Sequence, residues 1–403
     1  MLPLLYDRDV IYLKKKEFGK ILLNDIVTVK KYNKIFTHRV IYKTLNYIIT
    51  AGDNNNKSDG RIYSKNIIGI VYKVKRNTHF FNIDDLYLIQ SSIYFKEIVK
   101  VKKVLEKNKI ETVFLKGLPL HLHFEGAHPK RIYADCDLLI KKTHKKKADY
   151  VLRKLGYRRE NLKDYKSLQK FLGADNKEIS YYRLVNGFLV VFDVHFETVF
   201  FTHKSKIPFS YLQGISDNFN NEAYRQLQRV RVVGEEFTIL KNELLIIYLL
   251  LHFYAHNFSG VYRLEFIKNI ISHLNKNKAI NWENLILKAK SLKIINFIIP
   301  GIYLLDKYYS LKLPYKVLLD KYPVKTNYSL VIFKLLCGGD FIFQEGGVGY
   351  AARINRALFM ILLSEENAFG KIISLFQPRF ILHTIHFFKK FSPKEVNFNR
   401  GKI

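Results

Sequence analysis

The 403-residue chain is long enough for two or three domains and a sizeable core. A hydrophobic content of 48% and an aromatic content of 15% exclude a disordered chain, and two cysteines exclude a disulfide framework and fit a reducing compartment such as the cytoplasm. The formal net charge of +32 points to nucleic acid, nucleotides or an anionic surface as partners, while the abundance of Lys, Asn and Ile leaves a compositional origin open. Runs such as Lys141-Lys142 and Lys145-Lys146-Lys147 read as solvated faces. Charges at Asp7, Arg8 and Asp9 argue against a signal peptide. Leu244 to Ala255 comes nearest to a membrane span, but it is short and carries His252, so it reads as a buried helix.

Residues 1–76 are rich in β-branched and aromatic residues, with frequent Gly, Asn and Asp. Short strands are predicted at Val10 to Leu13, Ile26 to Val29, Arg39 to Tyr42, Tyr47 to Thr50 and Ile67 to Val71, with a loop from Gly52 to Gly60. This is a small all-β N-terminal domain. Asp84-Asp85 then caps a predicted helix with apolar positions at Leu86, Leu88, Ile89, Ile93, Tyr94, Ile98, Val101 and Val104. Glu111 to Leu115 reads as a strand, and Ala148 to Leu155 as a helix closed by Gly156. Residues 181–196 give two strands around the hairpin signal Asn186-Gly187. Residues 77–232 therefore form a mixed sheet with helices, α+β in class. From about Glu235 the pattern is helical, with segments at Ile239 to Phe258, Arg263 to Leu274, Trp282 to Leu292, Ile294 to Tyr309 and several more up to Phe388. Residues 233–403 thus read as a helical C-terminal domain.

Three short pieces of the middle region fit one catalytic site: Leu115-Lys116-Gly117, Asp135-Cys136-Asp137-Leu138-Leu139 and Asp193-Val194-His195. Each follows or interrupts a predicted strand. Side chains at i and i+2 of a strand share a face, so Asp135 and Asp137 project together and Cys136 points into the core. Paired carboxylates repel unless a cation lies between them. Asp193 ends a second apolar run and adds a third carboxylate. Such a set suits hard divalent cations such as Mg²⁺, which serve phosphoryl and nucleotidyl transfer.

The stretch from about Glu111 to Phe196 resembles nucleotidyltransferases of the DNA-polymerase-β superfamily. It is most similar to a bacterial and archaeal branch whose substrates are mostly uncharacterised. The residues that carry the resemblance are Leu115-Lys116-Gly117, Arg131, Asp135 to Leu139, Gly156-Tyr157 and Asp193-Val194-His195. The superfamily's usual Gly-Ser turn is Lys-Gly here. The resemblance implies transfer of a nucleoside monophosphate from a nucleoside triphosphate to an acceptor that is a protein, an RNA or a small molecule. Asp135, Asp137 and Asp193 would hold two Mg²⁺ ions, with Asp193 also a candidate base. Lys116 and the Gly117 backbone would hold phosphates, and Arg131 would stabilise charge on the transferring group or make a surface ion pair. His195 would orient Asp193 or ligate metal. The helical region resembles one that closes over this site, with His252 and His256 at i and i+4 directed to substrate, to metal or into the core.

The N-terminal domain also carries a resemblance. Met1-Leu2-Pro3, Asp25-Ile26-Val27, His38-Arg39-Val40, Gly52-Asp53-Asn54-Asn55, Asp59 and Ile68-Gly69 occur in the order seen in archaeal and endoplasmic-reticulum type-I signal peptidases. The resemblance makes His38 the base and Asp59 the acid of a Ser-His-Asp set. The matching serine would stand immediately before Met1. Either the true start lies upstream or the module binds or packs without cleaving peptides. Besides transfer chemistry, a signal-peptidase-like serine peptidase and a non-catalytic basic binding protein therefore remain as readings.

Overall fold

A computed structural model describes residues 4–53, 55, 57–133, 135–159, 178–198, 210–311, 313–314, 326–337, 341–343 and 358–364. Its architecture is α+β: an N-terminal antiparallel sheet, a mixed sheet and a set of helices.

The N-terminal sheet contains β1 (Val10–Lys14), β2 (Ile26–Lys31), β3 (Lys34–Lys43), β4 (Ile48–Ala51), β5 (Arg61–Ile62), β6 (Ile67–Arg76) and β7 (His79–Asn82). Its order is β1-β6-β2-β3-β4-β5, with β7 also pairing β6. Alternation along β2 sends Val27 and Val29 to one small core with Val40, Ile48, Ile62 and Ile70. Ile26 goes to another, with Val71, Val74, Leu86 and Tyr87. The short strands β5 and β7 escaped the sequence reading because neither has enough alternation to register.

Leu86 and Tyr87 belong to α1 (Ile83–Lys107), whose first turn carries Asp84 and Asp85. Its later residues Tyr94, Ile98, Val101 and Leu105 enter the main core. One helix thereby packs against both sheets. Arg39 adds a polar tie. Its guanidinium grips Asp53 through Nε to Oδ1 and Nη2 to Oδ2, both at 2.7 Å. It also donates to the Tyr87 hydroxyl on α1 and, at 3.2 Å, to the carbonyl of Lys130.

The mixed sheet is built from β8 (Thr112–Lys116), β9 (Asp135–Ile140), β10 (Arg158–Arg159), β11 (Glu178–Val185), β12 (Phe188–His195), β13 (Leu227–Val232) and β14 (Glu235–Leu240). Its order is β10-β11-β12-β9-β8-β14-β13. β12 runs parallel to β9 and β14 parallel to β8, while the other pairs are antiparallel. The β13–β14 hairpin lies where sequence periodicity suggested a change to helices. The expected boundary at 232/233 falls within this hairpin. Phe237 and Ile239 of β14 are buried, so the apolar run there closes the sheet before the helices begin.

Around this sheet lie α2 (Leu118–Glu125), α3 (Lys145–Lys154), α4 (Ser210–Arg225), α5 (Asn242–Ala255), α6 (Val261–Lys276), α7 (Trp282–Ser291), α8 (Ile295–Tyr309) and α9 (Thr326–Leu336). Helix α5 is apolar nearly all round and buried at its centre, the behaviour expected of a core helix. Residues 358–363 are also helical. The remaining helices expected up to Phe388 lie outside the described residues. Among the described residues, no helix is long and apolar enough to cross a membrane.

Candidate active site

The three sequence pieces lie side by side because of strand register. Lys116 at the end of β8 is opposite Asp137 on β9, and Asp137 is opposite Asp193 on β12. Ser180 on β11 continues the row opposite Asp193. Asp135 lies two residues before Asp137, and His195 two residues after Asp193, on the same face. Leu138, Leu139, Val190, Phe192 and Val194 are buried around them, so the strands that present these charges are anchored in the core.

The turn after Lys116 requires glycine. Gly117 has φ +102°, and a Cβ there would stand 3.2 Å from the Asp135 carbonyl oxygen and 3.3 Å from the Cys136 Cα. Gly117 also caps α2. The N-terminus of that helix therefore starts beside the carboxylate row, an arrangement that favours anions. Cys136 is fully buried, as alternation required.

Lys116 Nζ lies 2.7 Å from Asp137 Oδ2 and 3.3 Å from Asp135 Oδ2. His195 Nε2 is 2.9 Å from Asp137 Oδ1, and its Nδ1 is 3.9 Å from Glu178 Oε2. Burial opposes charge on all these groups, and neighbours decide each outcome. Lys116 is desolvated, yet Asp135 and Asp137 hold its pKa well above the ordinary lysine value. Asp137 is also buried, but Lys116 and His195 keep it below the usual carboxylate value. Burial works against the His195 cation, but Glu178, Asp137 and Asp193 raise its pKa to about 9. Asp193 behaves in the opposite way. Burial, then Asp137, Asp135 and Glu178, push it up to about 7, against a hydrogen bond from Ser180.

Asp193 Oδ1 is buried without a hydrogen-bond partner. A buried, unsatisfied carboxylate oxygen beside two more carboxylates has the donor chemistry of a hard-cation site. As the side chains stand, however, no three His, Cys, Asp or Glu among the described residues are gathered closely enough to hold a metal ion. Positive charge is instead provided by the Lys116 ammonium and by His195.

Arg131 is held among aromatic rings. Its guanidinium carbon is 4.4 Å from the Tyr133 ring centroid and 5.1 Å from that of Tyr262 on α6. Although desolvation opposes its charge, Tyr133, Tyr262, Glu265 and Glu125 raise its pKa. His252 in the last turn of α5 and His256, which caps that helix, have ring centroids 4.7 Å apart. The sequence reading missed Tyr248, which precedes His252 by one turn and stacks on it at 6.3 Å. Burial, then Asp137, lifts the Tyr248 hydroxyl well above its ordinary pKa, with further contributions from Glu178 and Asp135. Tyr248 is thus within electrostatic reach of the carboxylates, and His252 and His256 continue from it at successive four-residue steps. The i, i+4, i+8 spacing was the available signal.

In the N-terminal sheet, His38 Nδ1 is 2.8 Å from Asp59 Oδ2, and Thr50 Oγ1 donates to the same oxygen at 2.6 Å. Gly52 lies against the other ring nitrogen, where a Cβ would stand 3.0 Å from His38 Nε2. Met1, Leu2 and Pro3, next to which the serine was expected, lie outside the described residues.

Comparison with known proteins gives three findings. The model of a family described as "Uncharacterised nucleotidyltransferase" matches residues 85–310, more than half of the chain. No curated protein sequence matches. Among solved structures, an antigenic nucleotidyltransferase-like protein from Paracoccidioides brasiliensis is 17% identical, with alignment over 48% of this chain and 76% of that one. Its TM-score of 0.28 does not establish a common fold.

Proposed function

Since the chain belongs to the uncharacterised nucleotidyltransferase family, we propose that it transfers a nucleoside monophosphate from a nucleoside triphosphate to an acceptor, releasing pyrophosphate. The observation that carries this reading is the row Lys116–Asp137–Asp193 across three adjacent strands, with Asp135 and His195 on the same face. Asp135, Asp137 and Asp193 would hold Mg²⁺, which when bound neutralises phosphate charge and favours a deprotonated acceptor oxygen.

The side chains divide the remaining tasks. Lys116 holds a full positive charge beside the carboxylates and can exchange a carboxylate partner for a phosphate oxygen. Gly117 lets the triphosphate approach the start of α2, where backbone N–H groups favour anions. His195 fixes Asp137 by donating to Oδ1. Asp193, at the end of the row, is the carboxylate that would accept the acceptor's proton. Arg131 is kept charged and oriented by Tyr133 and Tyr262, ready to meet an anionic group.

The test uses labelled nucleoside triphosphates with Mg²⁺ and a cell extract, following label into protein, RNA or small molecules. Asp135→Asn and Asp137→Asn should abolish transfer while the circular dichroism spectrum stays native. Full turnover in either variant, or no Mg²⁺-dependent nucleotide binding by the wild type, refutes the reading.

The His38–Asp59 hydrogen bond favours a second reading for the N-terminal sheet, a signal-peptidase-like hydrolase. In it Asp59 orients the ring and His38 Nε2 takes a proton from a hydroxyl. That hydroxyl would belong to a serine preceding Met1. A serine codon in frame upstream, followed by His38-dependent labelling of the extended chain with a fluorophosphonate, supports it. A stop codon next to Met1 removes it.

A further inference from the structure

The strands β1, β6 and β7 form an exposed face on which rings and ammonium groups alternate. Lys73 on β6 stands between Tyr12 on β1 and Asn82 on β7. Lys75 stands between Val10 and Phe80 in the next row. The Tyr12 and Phe80 rings come from opposite sides of β6, with centroids 6.0 Å apart. Lys73 Nζ lies 4.6 Å and Lys75 Nζ 5.6 Å from the Phe80 centroid, and Lys14 Nζ lies 5.6 Å from that of Tyr72. Phe80 is 51% exposed, Tyr72 38% and Tyr12 36%. Asp9, just before β1, is bound bidentately by Arg76 and does not neutralise these lysines.

We propose that this face of the N-terminal sheet binds single-stranded nucleic acid. Unstacked bases offer π-faces to exposed rings of this kind, whereas paired bases do not. Lysines between the rings lie where a phosphate backbone must run, and each phosphate neutralised releases a counterion. A net charge of +32 adds long-range attraction for a polyanion. Lysines on an edge strand discourage edge-to-edge pairing, but Lys73 and Lys75 lie on β6, which is paired on both sides by β1 and β7. The face lies outside the carboxylate row, so the inference is independent of the transfer reaction.

The test is fluorescence anisotropy of the full chain with a labelled oligouridylate of about twelve nucleotides, a length within the usual range of such sites. Duplex RNA, heparin and phosphatidylserine vesicles are the competitors. Single strands should bind in preference to duplex. Tyr12→Leu with Phe80→Leu, which keeps apolar bulk but removes stacking, should weaken binding about tenfold or more. Its salt dependence should stay unchanged. Lys73→Gln with Lys75→Gln should lower the slope of log K against log salt by about 0.7 per lysine. Tyr32→Ala is the control, because Tyr32 is 86% exposed, lies under Lys31 and is not on this face. It should bind as wild type does. Undiminished binding by the Leu double variant overturns the proposal. So does an equal loss in Tyr32→Ala, equal displacement by duplex and heparin, or binding to vesicles alone.

Discussion

Lys116 Nζ stands 2.7 Å from Asp137 Oδ2, across the β8–β9 register, and 3.3 Å from Asp135 Oδ2. The ammonium thus occupies the electrostatic position that a metal ion takes under the proposed chemistry. Removing one partner of a buried pair leaves the other charge uncompensated, at a cost of about 3–5 kcal/mol. Lys116→Met should therefore lower the melting temperature of the metal-free protein by several degrees. Added Mg²⁺ should raise it more in the variant than in wild type. Thermal scans with and without Mg²⁺ check both statements, and equal Mg²⁺ responses would count against the carboxylates as the metal site.

Asp193 gives a pH-dependent signature. Burial and the neighbouring carboxylates Asp137 and Asp135 push its pKa in the folded protein up to about 7, from the ordinary aspartate value of 3.8. The folded state holds this proton more tightly, so the stabilisation is present at low pH and is lost as pH rises through about 7. Above that, the ionised carboxylate costs on the order of a few kcal/mol in the absence of metal. Asp193→Asn cannot ionise. Its melting temperature should exceed that of wild type at pH 8, and the gap should shrink by pH 5. Denaturation followed across that range measures it.

His123 on α2 and His273 on α6 have ring centroids 6.2 Å apart, with Phe124 packed edge-on against His273. Burial, then the His273 charge, lowers the His123 pKa below its ordinary value of 6.5. The unfolded chain binds this proton more readily. The associated stability is present above about pH 6.5 and lost as pH falls below it. His273→Gln should flatten the acid side of the stability profile, which urea titrations at pH 7 and pH 5 will show.

Arg39 connects Asp53 in the N-terminal sheet with Tyr87 on α1 and the Lys130 carbonyl. Arg39→Met should cost about 3–5 kcal/mol, because Asp53 is left without its cation. Adding Asp53→Asn should recover part of that loss. A double-mutant cycle in urea gives the coupling energy, and additive losses would show that the fork contributes little.

The periodicities in the sequence carried most of the sheet. β-Branched, aromatic and apolar runs located β1, β2, β3, β4, β6, β8, β9 and β12, and Asn186-Gly187 marked the β11–β12 turn. The β13–β14 hairpin was hidden because its apolar residues merge with the continuous run of α5. Short apolar segments look alike as strand or helix until their hydrogen-bond partners are known. Tyr248 was passed over for a related reason. In an all-round apolar helix, sequence does not distinguish a ring that faces a site from one that faces core.

The sequence by itself determined which groups could do chemistry. Two-residue spacing put Asp135 with Asp137, and Asp193 with His195, on common strand faces. The tertiary structure decided how those groups meet. Strand order set β8, β9 and β12 next to one another, and register aligned Lys116, Asp137 and Asp193 in one row. Strand order, register and burial arise from contacts between residues far apart in the chain. They separate the protonation behaviour of Asp137 and Asp193, which are the same amino acid in similar local sequence.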